Sequence, residues 1–595
     1  MTPCPTQVPA QGRVHDKSPQ SGDDGNEGSN MLLTSAQKKT RRGVAVGAAL
    51  VASALAVAGC SSGSSGTSAS GASAITIFNG ATGTIAENFN PFSPTLLQPT
   101  TGVIYEPLFY YNLAATAAPK PELATAFKWN AAGTQLTITT RAGVKWTDGQ
   151  PFTATDVAYT FNLIHKNPAL NTSGLNATAT ATDDHTAVLT FKTKSFTQEP
   201  QVLGQTPIVA EHIWSKISDP AKDINANPVG TGPYKLKSFA SQSYSLTKNT
   251  DYWEKGKPQI DTVRYISLAT ADAASAALLA GQVDWMSAFL PNLQVLLNGH
   301  KNLTYVNTPA LTTSLFTCSN ASLGCTGPQT DPAVRQAIYY GIDRTQINKL
   351  AGGGFAVPAS PTMLLPARDA AWIASPADVT APQSANAAKA NSILAAAGYT
   401  KGSDGIYQKN GQRVSMTVQV VAGYSDYISA ISVMTTELKD VGIELKSTQL
   451  AYNAWNSNET TGKFQLTMDS IGLGASSNPN FTYSPRYTTA NTTKVGQVAA
   501  SNGNYARYSN PVVDAAVAAA AATNDATTQK DQYAIVQQQI VRDLPYIPIY
   551  VNSTLTEFNT TNATGWPTNA NKYAFPASWK SWDNGIVLKE LKPVK

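Results

Sequence analysis

Apolar residues recur along this chain at two spacings. Alternation of apolar and polar positions predicts strands in segments spread over the whole length: ITIFNG, TQLTITTR, DHTAVLTFK, GTGPYKLKSF, SYSLTKN, IDTVRYISL and YIPIYVNSTL. A spacing of three to four residues predicts helices, as in the segment that starts at Thr155-Asp156 and buries Val157, Phe161 and Ile164. The combination of the two patterns predicts an α/β fold.

Further helices are predicted where start and stop residues flank an apolar stripe. Asp331 is suited to cap a helix that has Pro332 at its first position, and Val334 and Ile338 begin its apolar face. Alanine-rich segments predict other helices over 272–280, in KANSILAAAGY, over 511–523 and in QYAIVQQQIVRD, and the short segment QVDWMSAF predicts a strand.

The clearest supersecondary unit lies between residues 413 and 450. The strand pattern RVSMTVQVV is followed by a helical pattern from about Ser425 to Val441, which Gly442 ends, and then by IELKSTQL. This order predicts a parallel, right-handed βαβ unit. Open α/β sheets bind ligands beyond the carboxyl ends of their strands, so Gly423, Tyr424 and Asp426 are predicted to lie at a binding edge.

The N-terminal region has the pattern of an export signal. Starting at Met31, basic residues precede an apolar run from Val44 to Ala58, and small residues lead directly to Cys60. The run is shorter than the roughly 20 residues that a membrane-spanning helix needs. The ending is similar to the lipobox of bacterial lipoproteins, in which such a cysteine is acylated. An ordinary signal peptide with an incidental cysteine is the alternative.

Composition sets the boundaries of this leader. We assign residues 1–59 to an N-terminal extension and signal peptide, and residues 60–74, rich in Ser and Gly, to a flexible linker. The remaining length is sufficient for two or three domain-sized cores. From residue 60 onward the chain has 37 basic and 34 acidic residues, which provides no basic field for nucleic acid.

Two further cysteines are separated by only six residues. Cys318 and Cys325 occur in CSNASLGC, and in an oxidising compartment we expect them to form a disulfide that closes a local loop. Two free buried thiols are the alternative. A metal site is disfavoured because no histidine or further cysteine lies near them in the sequence.

Several segments, in order, resemble the extracellular solute-binding proteins of family 5, the oligopeptide, dipeptide and nickel receptors of ABC importers. They are YEPLFYYN, GVKWTDGQPFTATDVAYTF, VGTGPYKLKSF, NTDYWEKGKPQIDTVRY, LLAGQVDW, DPAVRQAIYYGIDR and ELKDVGIELK. The resemblance implies a two-lobed periplasmic-binding-protein-like fold of type II, cluster C. It also implies an extra strand-rich subdomain, a hinge and an interlobe cleft.

The same resemblance implies domain boundaries and partners. Lobe 1 would comprise residues 75–308 and, after the chain returns to it, 555–595, while lobe 2 would comprise 309–554. The expected partners are the permease and ATPase subunits of the transporter, with the receptor acting as a monomer. The protein would not be an enzyme and would need no cofactor. Lipidated Cys60 would hold it at the outer face of the cell membrane.

The chain departs from the dipeptide receptors at both charged anchors. Ala475 stands where those receptors have the acidic residue that meets the ligand's amino group, and Asn478-Pro479 replaces their acidic-Pro pair. The loop that would carry the arginine for the ligand carboxylate has Gly423 and Tyr424 instead. Burying a zwitterion without charged partners is costly, so an oligopeptide is expected in preference to a dipeptide.

Uncharged and aromatic side chains remain in those loops. The residues predicted to contact the solute are Trp285, Phe289, Tyr424, Trp455, Ala475, Asn478 and Phe481, and Tyr452 and Tyr483 accompany them. Aromatic faces with amide and hydroxyl partners also suit an oligosaccharide. Core packing is the alternative for each aromatic residue taken singly.

The sequence offers less support for two other functions and leaves a third open. A metal receptor is disfavoured because the histidines are scattered without ligand spacing. A secreted hydrolase is disfavoured because no GxSxG, HExxH or Ser/His/Asp grouping stands out. A lipoprotein that senses a solute or a signalling peptide without importing it remains open.

Overall fold

The computed structural model describes residues 73–171, 174–288, 290, 293–499 and 503–594. The predictions for residues 1–59, for Cys60, for nearly all of the linker and for Phe289 lie outside these residues. No helix within the described ranges is long and apolar enough to cross a bilayer.

Strands and helices alternate through the described chain, as the apolar pattern predicts. The strands are β1 (Ala74–Phe78), β2 (Phe109–Tyr110), β3 (Lys120–Pro121), β4 (Ala124–Trp129), β5 (Gln135–Thr140), β6 (Ala177–Asp183), β7 (Thr186–Phe191), β8 (Tyr234–Ala240), β9 (Ser243–Lys248), β10 (Thr262–Ile266), β11 (Trp285–Met286), β12 (Leu303–Thr317), β13 (Thr400–Lys401), β14 (Tyr407–Lys409), β15 (Gln412–Arg413), β16 (Ser415–Val421), β17 (Glu444–Leu450), β18 (Leu466–Ile471), β19 (Tyr546–Asn559), β20 (Ala563–Thr564) and β21 (Lys592–Pro593). The α-helices are α1 (Ala154–Lys166), α2 (Glu199–Gly204), α3 (Glu211–Trp214), α4 (Ala271–Leu279), α5 (Leu293–Leu296), α6 (Pro332–Gly341), α7 (Arg344–Leu350), α8 (Pro366–Asp369), α9 (Ala387–Ala396), α10 (Ser425–Val441), α11 (Tyr452–Thr461), α12 (Asn480–Tyr487), α13 (Pro511–Ala521), α14 (Ala526–Asp543) and α15 (Ser581–Glu590).

One ten-stranded sheet runs through the molecule, in the order β17-β16-β18-β12-β19-β11-β1-β10-β9-β8. Its two longest strands, β12 and β19, are adjacent and antiparallel, and we call them the central ribbon. On one side β12 pairs with β18, and on the other β19 pairs with β11. The ribbon therefore divides the sheet into a first half (β11, β1, β10, β9 and β8) and a second half (β18, β16 and β17).

The register of the ribbon is interrupted at two places, between Pro309 and Leu311 and between Thr313 and Ser314. At the first, Pro309 pairs with Ser553 and Leu311 pairs with Asn552, so β12 has one extra residue. A bulge of this kind breaks the regular ladder and increases the local twist. The first interruption lies between the part of the ribbon that contacts β11 and the part that contacts β18, whereas the second lies within the part that pairs with β18.

Each half has its own apolar cores. In the first half, Trp285, Phe558 and their neighbours form one core, and α1 packs on the separate sheet β4-β5-β7-β6 to form a second. In the second half, Leu315 packs in a core with α6, α9 and α10, which we call the Leu315 core. The next residue, Phe316, packs in a core with α12, α13 and α14, which we call the Phe316 core.

Several local predictions are confirmed. β16 and β17 are parallel and joined by α10, which ends at Gly442 in the left-handed conformation with φ 96°. Asp331 caps α6 by accepting a hydrogen bond from the backbone N–H of Ala333. The helix α1 begins one residue earlier than predicted, because Thr153 and Asp156 form a capping box. The predicted strand around Trp285 is limited to two residues.

A buried carboxyl group lies on the central ribbon. Glu557 is completely buried and its Oε2 accepts a hydrogen bond of 3.3 Å from the backbone N–H of Ala288. Its Oε1 has no hydrogen-bond partner within the described residues. Burial raises the pKa of this carboxyl from 4.5 to about 8, because the charged form loses its hydration.

This carboxyl group predicts a pH dependence of stability. A raised pKa means that the folded state binds the proton more tightly, so stability falls as the pH rises from about 4.5 to about 8. Glu557→Gln imitates the protonated form, and we expect its gain in melting temperature over the wild type to be larger at pH 8.5 than at pH 5. The exposed carboxylate variant Asp184→Asn provides the baseline. An equal gain at both pH values would contradict the expectation.

Candidate functional site

A cavity of about 70 Å³ lies where the two halves meet at the interrupted part of the ribbon. We call it the ribbon cavity. The first half and the ribbon provide part of its lining, and the second half provides the segment around α8. The lining residues are Leu113, Ala114, Thr308, Pro309, Val357, Leu365, Pro366, Ala367, Arg368, Val551 and Lys572.

On the first-half side, one buried carboxyl group ties two chain segments together. Asp583 Oδ1 accepts hydrogen bonds from the Tyr110 hydroxyl and, at 2.9 Å, from the backbone N–H of Phe575. Burial raises the pKa of Asp583 to about 6. Tyr110 ends β2 three residues before Leu113, so Asp583 ties the segment that leads to this lining residue to the segment of Phe575.

Phe575 belongs to a small apolar cluster beside the cavity. It packs with Leu113, Ala310 and Ala577, and Leu473 from the end of β18 joins them from the second half. The ring of half-buried Trp579 is 6.0 Å from that of Phe575, centroid to centroid. An apolar surface with a partly exposed indole can contact a solute through both its area and its N–H group.

On the second-half side, Arg368 connects the two halves. Its guanidinium forms a bidentate pair with Asp369, with Nε to Oδ1 at 2.6 Å and Nη2 to Oδ2 at 2.9 Å. Its Nη1 donates to the carbonyl oxygen of Leu113 at 3.5 Å, and its own carbonyl accepts a hydrogen bond from the Thr116 hydroxyl. The charge of Arg368 is thus neutralised within its own half, while its other bonds reach across the cavity.

A second cation on the lining lacks such a counter-ion. Lys572 is half-buried, and its Nζ donates to the carbonyl oxygen of Asn569 at 3.0 Å. The partial loss of hydration lowers the pKa of this ammonium group. Among the ion pairs within the described residues, none includes Lys572.

A second pocket, of about 370 Å³, also has walls from both halves. We call it the α5–α10 pocket. Its lining residues are Gln294, Val295, Leu350, Ala351, Gly353, Gly354, Phe355, Ser425, Asp426 and Ser429. This volume lies within the range that is usual for small-molecule sites.

The two pockets adjoin opposite faces of the second half. Leu315 and Phe316 are successive residues of β12, and successive strand residues point to opposite faces of a sheet. The Leu315 core includes α10, which borders the α5–α10 pocket, whereas Met363 and Leu364, just before α8, belong to the Phe316 core. The pockets share no lining residue.

The structure separates the predicted solute-binding residues. Trp285 is completely buried, its Nε1–H donates to the carbonyl oxygen of Pro576 at 2.8 Å, and its ring packs against those of Phe558 and Trp566. Trp455 is 5% exposed, with its Nε1–H bonded to Thr467 Oγ1 at 2.8 Å. Both indoles are therefore packed as core side chains in this arrangement, and their contact with a solute stays a prediction.

The Asn478 side chain is hydrogen-bonded within the protein, and the Ala475 side chain is buried. The Asn478 amide donates to Gln529 Oε1 at 3.0 Å, and its Oδ1 accepts from the Tyr533 hydroxyl at 2.9 Å. These bonds join the loop before α12 to α14 and leave the amide little capacity for a ligand. Ala475 is 1% exposed. Contact between either side chain and a solute is therefore not favoured by the geometry.

Tyr424, Phe481 and Asn478 keep part of their surface exposed, and Tyr452 is 40% exposed, whereas Tyr483 is completely buried. Tyr424 lies directly before α10, and its ring meets that of Tyr427 edge-on at 5.8 Å. Phe481 lies in the first turn of α12 and packs over Gly474, where a Cβ would be only 2.1 Å from the Cβ of Phe481. Gly474 is therefore required for this close approach.

Sequence reasoning missed Arg368, Lys572, Thr116 and Trp579 as residues beside the cavity. The polar side chains stand outside the family segments quoted above, and no periodicity or spacing marks them. They come together only through the arrangement of the two halves about the ribbon. The loop of Cys318 and Cys325 lies elsewhere, in the Phe316 core, where these residues form a disulfide with Cα atoms 5.4 Å apart.

Comparison with known proteins identifies the class. The family model of bacterial extracellular solute-binding proteins, family 5 (middle region), matches residues 118–493. The chain is 27% identical over 498 residues to the glutathione-binding protein of Salmonella choleraesuis, covering 81% of this chain and 90% of that protein. The protein therefore belongs to family 5 of the bacterial extracellular solute-binding proteins.

Solved structures agree with this assignment. The periplasmic oligopeptide-binding protein of an oligopeptide ABC transporter from Thermotoga maritima superimposes with a TM-score of 0.76 at 26% identity, covering 88% of this chain and 99% of that one. A mannohexaose-bound structure of the same protein gives a TM-score of 0.69 at 26% identity, with coverages of 88% and 98%. The fold is thus that of a two-lobed binding protein, and its relatives are binding proteins rather than enzymes.

The pair of Arg368 and Asp369 yields a prediction on stability. Asp369 is 1% exposed, so removing its cation leaves a buried charge unpaired. We expect Arg368→Met to lower the free energy of unfolding by about 3–5 kcal/mol, and the double variant Arg368→Met/Asp369→Asn to recover part of that loss. Urea unfolding followed by circular dichroism measures both values.

A matched control uses an exposed ion pair. Arg413 and Asp404 pair at the surface with side chains 44% and 43% exposed, so we expect Arg413→Met to cost no more than about 1 kcal/mol. If Arg368→Met costs as little as this control, the structural importance of the buried pair is refuted.

Proposed function

We propose that the protein is the receptor of an ABC importer and captures an oligopeptide between its halves, at the ribbon cavity, for delivery to the permease. The observation that carries this proposal is the cavity itself, because the first half, the ribbon and the second half all line it. Burial of a solute between two bodies gives affinity through area, while a few polar groups determine specificity.

Loading requires the halves to separate. A cavity of about 70 Å³ is far smaller than a peptide, so the wall that Arg368 completes has to move. The bonds that cross here are few: Thr116 to the Arg368 carbonyl, and Arg368 to the Leu113 carbonyl. We propose the register interruption at Pro309–Leu311, opposite Asn552 and Ser553, as the hinge.

This hinge agrees with the lobe boundaries that the resemblance implies. Lobe 1 then comprises residues 75–308 and 555–595, and lobe 2 comprises residues 309–554. Phe355 supports the lobe-2 side of the hinge, because its carbonyl accepts hydrogen bonds from both ribbon strands, from Asn307 at 2.9 Å and from Ser553 at 2.5 Å. The remainder of the ribbon moves with one lobe or the other.

Charge favours a peptide that has a free carboxyl end. Lys572 offers the cavity an ammonium group that has no carboxylate partner in the part of the chain that the structure describes, and a charge-assisted bond in such a partly buried place is strong. For the amino end, none of the lining residues carries a carboxylate, and Asp369, which follows Arg368 in the sequence, is paired with that arginine. A dipeptide would bury its ammonium group close to its carboxylate, whereas a longer peptide can extend the ammonium group away from the cavity.

An oligosaccharide is the second candidate. Trp579 presents a half-buried indole beside Phe575 and the apolar cluster, and aromatic faces suit sugar rings. The structure of the Thermotoga maritima oligopeptide-binding protein with mannohexaose supports this candidate. A neutral sugar would leave Lys572 without an anionic partner, and for this reason the peptide is preferred.

A lipid at Cys60 completes the proposal. A receptor that delivers solute to a membrane permease gains effective concentration from being tethered, and the Ser- and Gly-rich segment that follows Cys60 would set its reach. This attachment places the protein at the outer face of the cell membrane. The proposed partners are the permease and ATPase subunits, with a single receptor chain acting as the unit.

Lys572 provides the test of ligand class. Isothermal titration calorimetry compares a hexapeptide with a free carboxyl end, the same hexapeptide with an amidated end, a dipeptide and mannohexaose. We expect the free-acid hexapeptide to bind at least tenfold more tightly than the amide, and the dipeptide to bind weakly. Lys572→Met should abolish the preference for the free acid, while Lys572→Arg should keep it.

The results separate the candidates. Equal binding of free acid and amide by the wild type would remove the proposed role of Lys572. Saturable binding of mannohexaose with no binding of either hexapeptide would show that the ligand is an oligosaccharide and not a peptide. Lys349→Met, which changes an exposed lysine that does not line the ribbon cavity, controls for loss of charge in general.

Cys60 is tested in the producing cell. We expect Cys60→Ser to release the protein into the medium or the soluble fraction, because the acylated thiol is the proposed anchor. Fractionation and immunoblotting measure the distribution, and Cys318→Ser/Cys325→Ser, which removes the disulfide, controls for the loss of cysteines elsewhere. A Cys60→Ser protein that stays with the membrane would contradict the anchor.

A further inference from the structure

A short segment that follows α7 lies across the proposed hinge. It comprises residues 351–357, and we call it the hinge strap. The helix α7 that precedes it is fixed in the second half, because Arg344 Nε donates to the carbonyl oxygen of Pro548 at 2.9 Å and Ile347 is buried in the Leu315 core. The strap therefore starts from the second half.

The strap is attached to the ribbon on the β18 side of the interruption at Pro309–Leu311. Val357 and Val551 exchange two backbone hydrogen bonds, of 3.1 and 2.8 Å. Val551 pairs with Thr312, which lies in the part of β12 that contacts β18. This attachment consists of backbone groups, so it does not depend on a side chain.

The strap is attached a second time on the β11 side of the same interruption. The carbonyl oxygen of Phe355 accepts hydrogen bonds from Asn307 Nδ2 at 2.9 Å and from Ser553 Oγ at 2.5 Å. The half-buried ring of Phe355 meets that of Tyr305 edge-on at 6.1 Å. It also packs against a small apolar cluster, whose buried members are Leu290, Leu293 and Leu555.

The two attachments are close together along the strap. Only Ala356 separates Phe355 from Val357, so the chain between them has almost no slack. A bend of the ribbon at the interruption changes the distance between the attachments, and one of them has to yield. The side-chain contacts of Phe355 yield more readily than the backbone pair of Val357. Gly353 and Gly354, with φ of 60° and 77°, give the chain between α7 and Phe355 its freedom to follow.

We propose that the hinge strap limits the separation of the two halves and that the Phe355 ring holds the ligand-free protein towards the closed arrangement. The proposal rests on the hinge of the proposed function and adds the element that sets the width of opening. Opening withdraws the ring from Leu290 and Leu293, and the exposure of its apolar surface disfavours the open arrangement. Phe355 does not line the ribbon cavity, so it is a positioning residue that acts on the solute through the two halves.

Small-angle X-ray scattering of the ligand-free protein tests the strap directly. We expect Phe355→Ala to give a larger radius of gyration than the wild type, and Phe355→Leu, which keeps an apolar side chain, to give a smaller increase. Phe127→Ala is the matched control, because Phe127 is also half-buried, meets Phe109 edge-on at 5.1 Å and packs within the first half. An unchanged radius in Phe355→Ala, or an equal increase in Phe127→Ala, would overturn the proposal.

A milder variant decides the question where Phe355→Ala does not fold. Ser553→Ala removes one of the two hydrogen bonds to the Phe355 carbonyl and leaves the ring in place, so we expect a small increase in the radius. Its control is Ser415→Ala, which removes a hydroxyl bond of the same length, 2.5 Å to Glu444, within the second half. Equal radii for the two serine variants would then refute the strap.

Titration calorimetry connects the strap with the solute. We expect Phe355→Ala to raise the Kd of the free-acid hexapeptide and that of its amide by the same factor, about five- to tenfold, because the closed arrangement becomes less populated. The ratio of the two Kd values should stay as in the wild type, whereas Lys572→Met removes the preference. An unchanged Kd or a changed ratio would contradict the positioning role.

The two measurements separate the strap from the proposed function. If neither hexapeptide binds to the wild type, the proposed function fails, and the scattering of the ligand-free variants still decides whether the strap holds the halves. If the hexapeptides bind and the radius of Phe355→Ala equals that of the wild type, the strap fails and the proposed function stands.

Discussion

The pairing of β12 with β19 is the constraint on which the rest of this structure depends. The two strands are far apart in sequence, yet their backbone hydrogen bonds run from Leu303–Asn559 to Phe316–Tyr546. The other strands of the ten-stranded sheet are attached, directly or through neighbours, to the two edges of this ribbon: three to the β12 edge and five to the β19 edge. Since a ladder of this length is not opened without great cost, a movement between the halves would bend or twist the ribbon and leave its pairing intact.

The charges at the ribbon cavity divide into two kinds. Arg368 is neutralised by Asp369 and held by carbonyl groups, so it serves the closed arrangement and has little left for a solute. Lys572 keeps an ammonium group whose described partner is one carbonyl oxygen. Two cations that line the same cavity thus have different surroundings, because among the described residues Arg368 pairs with a carboxylate and Lys572 bonds a carbonyl oxygen.

Local features of the fold were predictable from the sequence, and features that depend on tertiary arrangement were not. The periodicity of α1, the Asp331–Pro332 start of α6 and the parallel unit around α10 are set by neighbouring residues. For the site, Trp285 and Trp455 are predicted from the aromatic residues that remain in the loops, and the structure buries both of them. Whether an indole faces a core or a cleft depends on what packs against it from distant segments. Lys572 and Arg368 carry no sequence signal, since nothing in the residues near them reveals that β2, α8 and the C-terminal segment meet.

The ribbon also links the two pockets mechanically. Both have walls from the two halves, and they adjoin opposite faces of the second half, so a twist of the ribbon cannot change the width of one while leaving the geometry of the other as it was. In thermodynamic terms, the free energy of filling either pocket includes the work of orienting the two halves, and the same reorientation changes the geometry of the other pocket. Within the described residues the two halves of the large sheet are joined through this ribbon, so one conformational coordinate governs the geometry of both pockets.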